Sequence, residues 1–149
     1  MVENFSELGD RLLVIFDGQC GFCNRTVRWF LRRDHHDRLR FAPSQSPGVA
    51  ELLARRNRRN SDFAPSSRTI LVARDPGRSS EQVLVRSDAA IALLAALPSP
   101  WPTLARVCQW IPRLLRDLVY RIIARWRYRI GGRFDTCPVP TPKERAHFL

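Results

Sequence analysis

Residues 12–23, LLVIFDGQCGFC, join a short apolar run to a Cys-x-x-Cys pair through a turn. A run of five apolar residues that ends at Asp17-Gly18 is typical of a buried strand, and a helix is predicted to begin after the turn. Residues three apart on a helix stand about 5–6 Å apart at Cβ, and a disulfide tolerates Cα separations of about 4.4–6.8 Å. Cys20 and Cys23 are therefore predicted to form a redox dithiol that closes and reopens with little backbone movement.

Length and composition indicate one globular domain. The chain has 149 residues, of which 44% are hydrophobic and 26% are charged, and these values are ordinary for a protein that buries its own core. The formal net charge of +11 comes almost wholly from arginine, because Lys143 is the only lysine. Such a charge attracts polyanions, but no nucleic-acid-binding motif accompanies it. No stable nucleic-acid partner is therefore expected.

The apolar segments are short. The longest, residues 89–97, falls far below the roughly 20 residues that a membrane span needs. Acidic residues before the first apolar run argue against a signal peptide. We therefore expect a cytoplasmic protein, where a disulfide is more often catalytic or transient than structural.

The predicted elements follow the order of a thioredoxin fold. Asp75-Pro76-Gly77 is a turn signal that joins two β-rich runs into an antiparallel hairpin, and Ser87-Asp88 is predicted to cap the next helix. The fold class is therefore α/β, with a thioredoxin-like β-α-β-α-β-β-α core in which helices flank a four-stranded mixed sheet. Strands are predicted at 12–16, 38–42, 69–73 and 82–86, and helices at 20–33, 47–56 and 87–97.

Three prolines between residues 98 and 102 separate this core from two further predicted helices, 103–111 and 113–130. We predict a single domain over residues 1–149, with the thioredoxin-like core at 12–97, a helical extension at 98–134 and a flexible tail at 135–149. The last helix has an apolar face that contains Trp126 and is flanked by arginines. Two interpretations are open, a peripheral membrane helix or packing of this face against the core, and we favour the second.

The string FDGQCGFC at residues 16–23 resembles the signature of the DCC family of thiol-disulfide oxidoreductases, which is named for an aspartate and two cysteines spaced as Asp17, Cys20 and Cys23. The resemblance extends over residues 12–138 and implies a thioredoxin-like oxidoreductase, although it implies no substrate. The family usually has a tyrosine where Phe16 stands. The later similar segments are Ser87-Asp88-Ala89, Ile111-Pro112, and YRIIARWRYRIGGR at 120–133 followed by Cys137-Pro138.

The dithiol is expected to exchange with a disulfide or dithiol substrate, either a protein or a low-molecular-weight thiol. A helix N-terminus favours a thiolate, so Cys20 is expected to attack and Cys23, one turn further and more shielded, to release the product. Asp17 either accepts a proton from a thiol or serves as a turn or capping residue. No dissociable cofactor and no metal are expected, since the dithiol carries two electrons and a thiol reductant or oxidant recycles it.

Substrate contact is predicted at Gly18, Gly21, Phe22 and Ser67. The glycines allow a positive φ or the approach of a substrate chain. Thioredoxin-fold enzymes place a cis-proline before the third strand, facing the dithiol, whereas Ser66, Ser67 and Arg68 precede that strand here. Either a serine faces the dithiol or the loop is rebuilt.

The two remaining cysteines have different settings. Cys108 shares a helical face with Leu104, Val107 and Ile111, so it is predicted to be a small core residue. Cys137 lies in a proline-rich tail, where an exposed thiol could exchange with the dithiol.

The alternative function is a non-catalytic basic module on the same fold that binds nucleic acid, an anionic membrane or a protein, with a steep dependence on salt.

Overall fold

The computed structural model describes residues 8–59, 69–76, 78–135 and 140–149. The α/β class and the predicted order of elements are confirmed, with two helices after the core. The strands are β1 (Leu12–Phe16), β2 (Leu39–Pro43), β3 (Leu71–Arg74) and β4 (Gln82–Val85), and the helices are α1 (Gly21–Leu31), α2 (Pro47–Arg59), α3 (Arg86–Ala96), α4 (Trp101–Gln109) and α5 (Arg113–Gly131), with a 3-10 turn at Arg145–His147.

The four strands form one mixed sheet in the order β2-β1-β3-β4. β1 is parallel to β2 and antiparallel to β3, so it is a central strand, and residues 13–16 are buried. Alternate residues of a strand point to opposite faces, so Leu13 and Ile15 meet the apolar side of α2 while Val14 and Phe16 meet α1 and α3. The carboxyl end of β1 leads directly to Asp17, where open α/β sheets usually hold their sites.

The start of α3 differs from the prediction. Its N-cap is Val85, which makes no side-chain capping bond, so the predicted Ser87-Asp88 cap is wrong. The Ser87 hydroxyl donates to a carboxylate oxygen of Asp117 on α5, and the Asp88 carboxylate pairs with Arg116 at 3.2 Å. Both side chains bond to residues of α5 instead of capping the backbone N–H groups at the start of α3. These contacts therefore hold α5 against α3.

The end of the chain packs on β2. The Leu149 backbone N–H donates to the Phe41 carbonyl oxygen at 2.9 Å, and the Phe148 ring lies 5.9 Å from that of Phe41 and 6.1 Å from that of Phe16. Residues 140–149, part of the predicted flexible tail, thus pack a half-buried aromatic ring against the core and pair with an edge strand. Cys137 lies outside the described residues.

The apolar faces of α4 and α5 point outward. Thirteen large apolar side chains between residues 104 and 134 are 42–90% exposed, whereas Asp117 and Arg127 of α5 are buried. The favoured prediction, that the apolar face of α5 packs on the core, is therefore wrong. Cys108 is only half-buried beside exposed Leu104 and Val107, so its assignment to the core is also wrong. Among the described residues, no helix combines the length and apolarity needed to cross a membrane.

Candidate redox site

The dithiol lies at the start of α1, directly after the turn that follows β1. Cys20 is the N-cap residue of α1, and its Sγ accepts a hydrogen bond from the Cys23 backbone N–H at 3.3 Å. Neither cysteine is in a disulfide, and their residues are 0% and 2% exposed, respectively. The spacing thus places the cysteines side by side, but Cys23 is not the more shielded of the two.

Two side-chain amides hold the turn that precedes the dithiol. Asn24, on α1, donates to the carbonyl oxygens of Gly18 and Cys20 at 2.8 and 2.9 Å. Gln45, which follows β2, accepts from the Gly18 N–H and donates to Asp17 Oδ1, both at 3.3 Å. Gly18 is buried, its backbone N–H and carbonyl have protein partners, and its φ is not positive. The predicted role of Gly18 in binding substrate therefore has no support in this geometry.

Asp17 is at the centre of a buried polar network. Its Oδ2 accepts hydrogen bonds from Arg127 Nη2 at 3.1 Å and from the Tyr128 hydroxyl, and its Oδ1 accepts one from the Gln19 backbone N–H at 3.1 Å. Asp17 does not cap α1, because Cys20 occupies that position. Both carboxylate oxygens thus have donors from the protein.

Arg127 connects Asp17 to the dithiol. Its Nη1 donates to Cys23 Sγ at 3.3 Å, while its Nη2 contacts Asp17 and also donates to the Tyr128 hydroxyl at 2.9 Å. Burial alone would lower the pKa of Arg127, but the sulfur, phenol and carboxylate groups around it raise that pKa. The guanidinium is therefore a fixed positive charge beside the Cys23 sulfur.

The surroundings of Cys23 keep its thiol protonated. Burial, together with the hydrogen bond and negative charge of Cys20, raises the pKa of the Cys23 thiol from 9.0 to about 12, while Arg127 acts in the opposite direction. Burial and the hydrogen bond to Asp17 raise the pKa of Tyr128, so its phenol remains a donor. At neutral pH, the Cys23 thiol is thus protonated.

A glycine pair lets α5 approach the dithiol. A Cβ atom on Gly21 would lie 2.0 Å from the Gly131 carbonyl oxygen, and one on Gly131 would lie 2.1 Å from the Phe22 nitrogen. The Gly21 N–H donates to the Gly132 carbonyl oxygen at 3.1 Å. The space predicted for a substrate chain at Gly21 is therefore occupied by the end of α5, and Phe22 packs against the core.

The residues after α5 cover the dithiol. Arg133 forms an antiparallel bridge with Cys20, and the Phe134 backbone N–H donates to the Gln19 carbonyl oxygen at 2.7 Å. Cys20 is fully buried beneath these residues.

The structure brings together only part of the predicted site. Cys20, Cys23 and Asp17 meet, whereas Ser67 lies outside the described residues. Sequence reasoning missed Arg127 and Tyr128, because arginine on a helix is usually solvated. The available signal was their position in the family-like segment 120–133, on the helix side opposite the apolar rows.

One group in the described ranges could offer three metal ligands. Ligand atoms of Asp34, Asp37 and His147 lie within 4.8 Å of one another. Both carboxylates, however, accept hydrogen bonds from protein donors, Asp34 from backbone N–H groups and Asp37 from Arg40 and Arg11. Within the part of the chain that the structure describes, Cys20 and Cys23 belong to no such group of three.

Comparisons with known proteins place the chain in one family. Residues 14–133 match the model of the DCC1-like thiol-disulfide oxidoreductase family. A chloroplastic DCC family protein of Arabidopsis thaliana is 31% identical over 135 residues, which cover 91% of this chain and 73% of that protein. The uncharacterized protein YuxK of Bacillus subtilis is 30% identical over 137 residues, which cover 92% of this chain and 93% of YuxK. No solved structure matches significantly. With Asp17, both cysteines and Arg127 inside the matched region, the chain belongs to the DCC1-like thiol-disulfide oxidoreductase family.

Proposed function

We propose that this protein catalyses thiol-disulfide exchange through Cys20 and Cys23. The contact between the charged Arg127 guanidinium and Cys23 Sγ carries the proposal. A buried charge is unfavourable unless it is paired, and clusters of perturbed titratable groups are typical of functional sites. A guanidinium held against one sulfur stabilises negative charge on that sulfur, which thiol exchange needs and a purely structural cysteine pair does not.

The first step is the attack of the Cys20 thiolate on one sulfur of a substrate disulfide. The N-terminus of α1 and the Cys23 N–H both favour negative charge on Cys20. A Cys20–substrate disulfide forms, the substrate S–S bond breaks, and the electron pair leaves with the other substrate sulfur, which takes a proton from solvent.

The second step uses Cys23. Once Cys20 is in the mixed disulfide, its negative charge no longer raises the pKa of Cys23, and Arg127 continues to lower it. Cys23 then loses its proton to solvent and attacks Cys20 Sγ, the Cys20–Cys23 disulfide forms, the bond between Cys20 and the substrate breaks, and the second substrate sulfur leaves with the electron pair and takes a proton from solvent. The substrate has gained two electrons and two protons, and the reverse sequence oxidises a dithiol.

Asp17 acts in this scheme as a positioning residue. Its carboxylate holds Arg127 against Cys23 and receives the Tyr128 hydroxyl, so it sets the charge that the resolving thiol meets. A thiol reductant or oxidant recycles the dithiol. We further propose a cytoplasmic setting, where a catalytic disulfide is transient.

The test is a redox titration in glutathione buffers, followed by alkylation and mass spectrometry. Wild type is expected to form a reversible two-electron bond between Cys20 and Cys23, and Cys20→Ser is expected to form none. Cys108→Ser is the matched control, since Cys108 lies outside the site, and it should titrate like wild type. Thiols that stay reduced throughout, or that pair instead with Cys108 or Cys137, would refute the proposal.

A further inference from the structure

The outer side of α4 and α5 carries the exposed apolar side chains of the described chain. On α5, Ile122, Trp126 and Ile130 form one row at i, i+4 spacing, and Leu115, Val119 and Ile123 form a second row beside it. Contiguous apolar surface of this kind marks an interaction site in a soluble fold. We call it the α4–α5 face; its members are Leu104, Val107, Trp110, Ile111, Leu114, Leu115, Leu118, Val119, Ile122, Ile123, Trp126, Ile130 and Phe134.

Arginines border this face without acidic partners on it. Arg121, Arg125 and Arg129 are exposed and form a row next to Ile122, Trp126 and Ile130. The acidic residues of the sequence between 98 and 135 are Asp117 and Asp135. Asp117 is buried against Ser87 on the other side of α5, and Asp135 follows the helix. Among the described residues, the members of the face and the three arginines beside them thus combine apolar and positive groups and include no carboxylate.

The combination of apolar and positive groups favours one kind of binding partner for this face. A second copy of the chain would bring the same arginines and no carboxylate to pair with them. An anionic lipid surface satisfies both features, because apolar side chains enter the boundary with the acyl chains while arginines meet the phosphates. Trp110, which is 90% exposed, and Trp126 suit the interfacial region, where tryptophan is enriched.

We propose that the α4–α5 face binds anionic lipid membranes, with α5 lying in the plane of the interface. The dithiol is on the opposite side of the same helix, where Arg127 contacts Cys23 while the neighbouring Trp126 faces outward. Membrane binding therefore does not require the cysteines. This inference stands independently of the proposed redox function.

Co-sedimentation with vesicles tests the inference. Wild type is expected to bind vesicles of phosphatidylcholine mixed with phosphatidylserine far more strongly than vesicles of phosphatidylcholine alone. Replacing Arg121, Arg125 and Arg129 together by glutamine should weaken binding about 100-fold, because each arginine near such a surface contributes about fivefold. The matched control replaces Arg38, Arg55 and Arg78, exposed arginines elsewhere, by glutamine and should bind much more tightly than the first triple variant.

A second variant tests the apolar part of the face. Ile122→Ser with Trp126→Ser keeps the net charge and is expected to weaken binding at least tenfold, since it removes apolar area that would be buried in lipid. Thermal unfolding checks that each variant is folded. Equal binding by the two arginine variants, equal binding to neutral vesicles, or no binding to any vesicle would each overturn the proposal. If wild type binds no vesicles but forms a dimer that Ile122→Ser dissociates, the face binds a second copy of the chain instead.

Discussion

Arg127 shows how one residue links the stability of the fold to the chemistry of the site. Its guanidinium is buried, donates to Cys23 Sγ and pairs with Asp17 at 3.1 Å. Removing one partner of a buried ion pair leaves the other charge without compensation, which is more damaging than the loss of the contact itself. Substitutions of Arg127 should therefore affect both folding and exchange.

We expect Arg127→Gln to lower the free energy of unfolding by about 3–5 kcal/mol, because Asp17 is left buried without a counterion. It should also slow the attack of Cys23, so the Cys20–substrate disulfide accumulates and is detected by mass spectrometry after acid quenching. Arg127→Lys keeps the charge and should restore part of the resolution rate. Arg125→Gln, on the exposed side of α5, is the control and should change stability by less than about 0.5 kcal/mol. Wild-type stability and resolution in Arg127→Gln would contradict this role.

The raised pKa of the Cys23 thiol predicts that the free energy of unfolding depends on pH in the alkaline range. The pKa of this thiol is about 12 in the folded protein and 9.0 without the surroundings of the fold. Between these values the unfolded chain has lost a proton that the folded chain keeps. The contribution of Cys23 is thus fully present below pH 9.0 and is lost as the pH rises towards 12.

Urea unfolding of wild type and Cys23→Ser across this window measures the effect. Above pH 9.0, the pKa of the Cys23 thiol in the unfolded chain, the stability difference between the two proteins should shrink by about 1.4 kcal/mol per pH unit, as expected for one proton. Parallel stability curves for the two proteins would show that the Cys23 thiol does not titrate in this way.

At the scale of elements, α5 is held by contacts with two other helices. Against α1, the backbones approach at Gly21 and Gly131, and against α3 the Ser87 hydroxyl donates to Asp117. The hydrogen bond from Ser87 lowers the pKa of Asp117, so the carboxylate stays charged at the buried contact. These contacts set the rotation of α5 about its axis and thereby direct Arg127 at the dithiol.

Gly21→Ala should separate α1 from α5. The added Cβ would lie 2.0 Å from the Gly131 carbonyl oxygen, so the backbone must shift, and overpacking of this kind costs about 1–3 kcal/mol or more. Gly132→Ala is the comparison, because its Cβ meets nothing within 4 Å and only the backbone opposes it: φ +73° with ψ 175° lies in a region that glycine alone adopts readily, and another residue there costs about 1–3 kcal/mol.

Alkylation of Cys20 distinguishes a displaced helix from a merely less stable protein. Under native conditions iodoacetamide should modify Cys20 faster in Gly21→Ala than in Gly132→Ala at matched stability. Equal modification rates would mean that the glycine contact does not control access to the dithiol.

At the scale of the whole molecule, the core and the outer helices differ in which side chains they bury. The sheet with α1, α2 and α3 buries apolar side chains on both faces, whereas α5 turns polar residues inward and apolar residues outward. The apolar surface of α5 thus contributes little to the stability of the isolated chain.

Paired substitutions measure this difference. Val119→Ser and Ile123→Ser, on the exposed face, should each change the free energy of unfolding by less than about 0.5 kcal/mol. Leu93→Ala, inside the core, should lower it by about 2–5 kcal/mol through lost burial and a cavity. A large loss in Val119→Ser would indicate that the face is covered in solution, and light scattering would then identify a second copy.

Much of the core and half of the site were predictable from local patterns. The apolar run of β1, the turn at Asp17 and the cysteine spacing lie within one short segment, so strand and helix signals sufficed to place them. The cap at Ser87-Asp88 was mispredicted, because its partners are Asp117 and Arg116 on α5. The contact of the last two residues with Phe41 on β2 was not predicted, because that strand is distant in sequence.

By itself the sequence determined the order of strands and helices and the adjacency of Cys20 and Cys23, since propensity and spacing act over a few residues. Only the tertiary structure decided which side of α5 faces the core. An amphipathic pattern shows that the two sides of a helix differ, and the usual assumption buries the apolar one. Here the ion pair of Arg127 with Asp17 and the close approach of Gly21 to Gly131 turn the polar side inward, because a buried charge needs its partner and only glycines permit that contact.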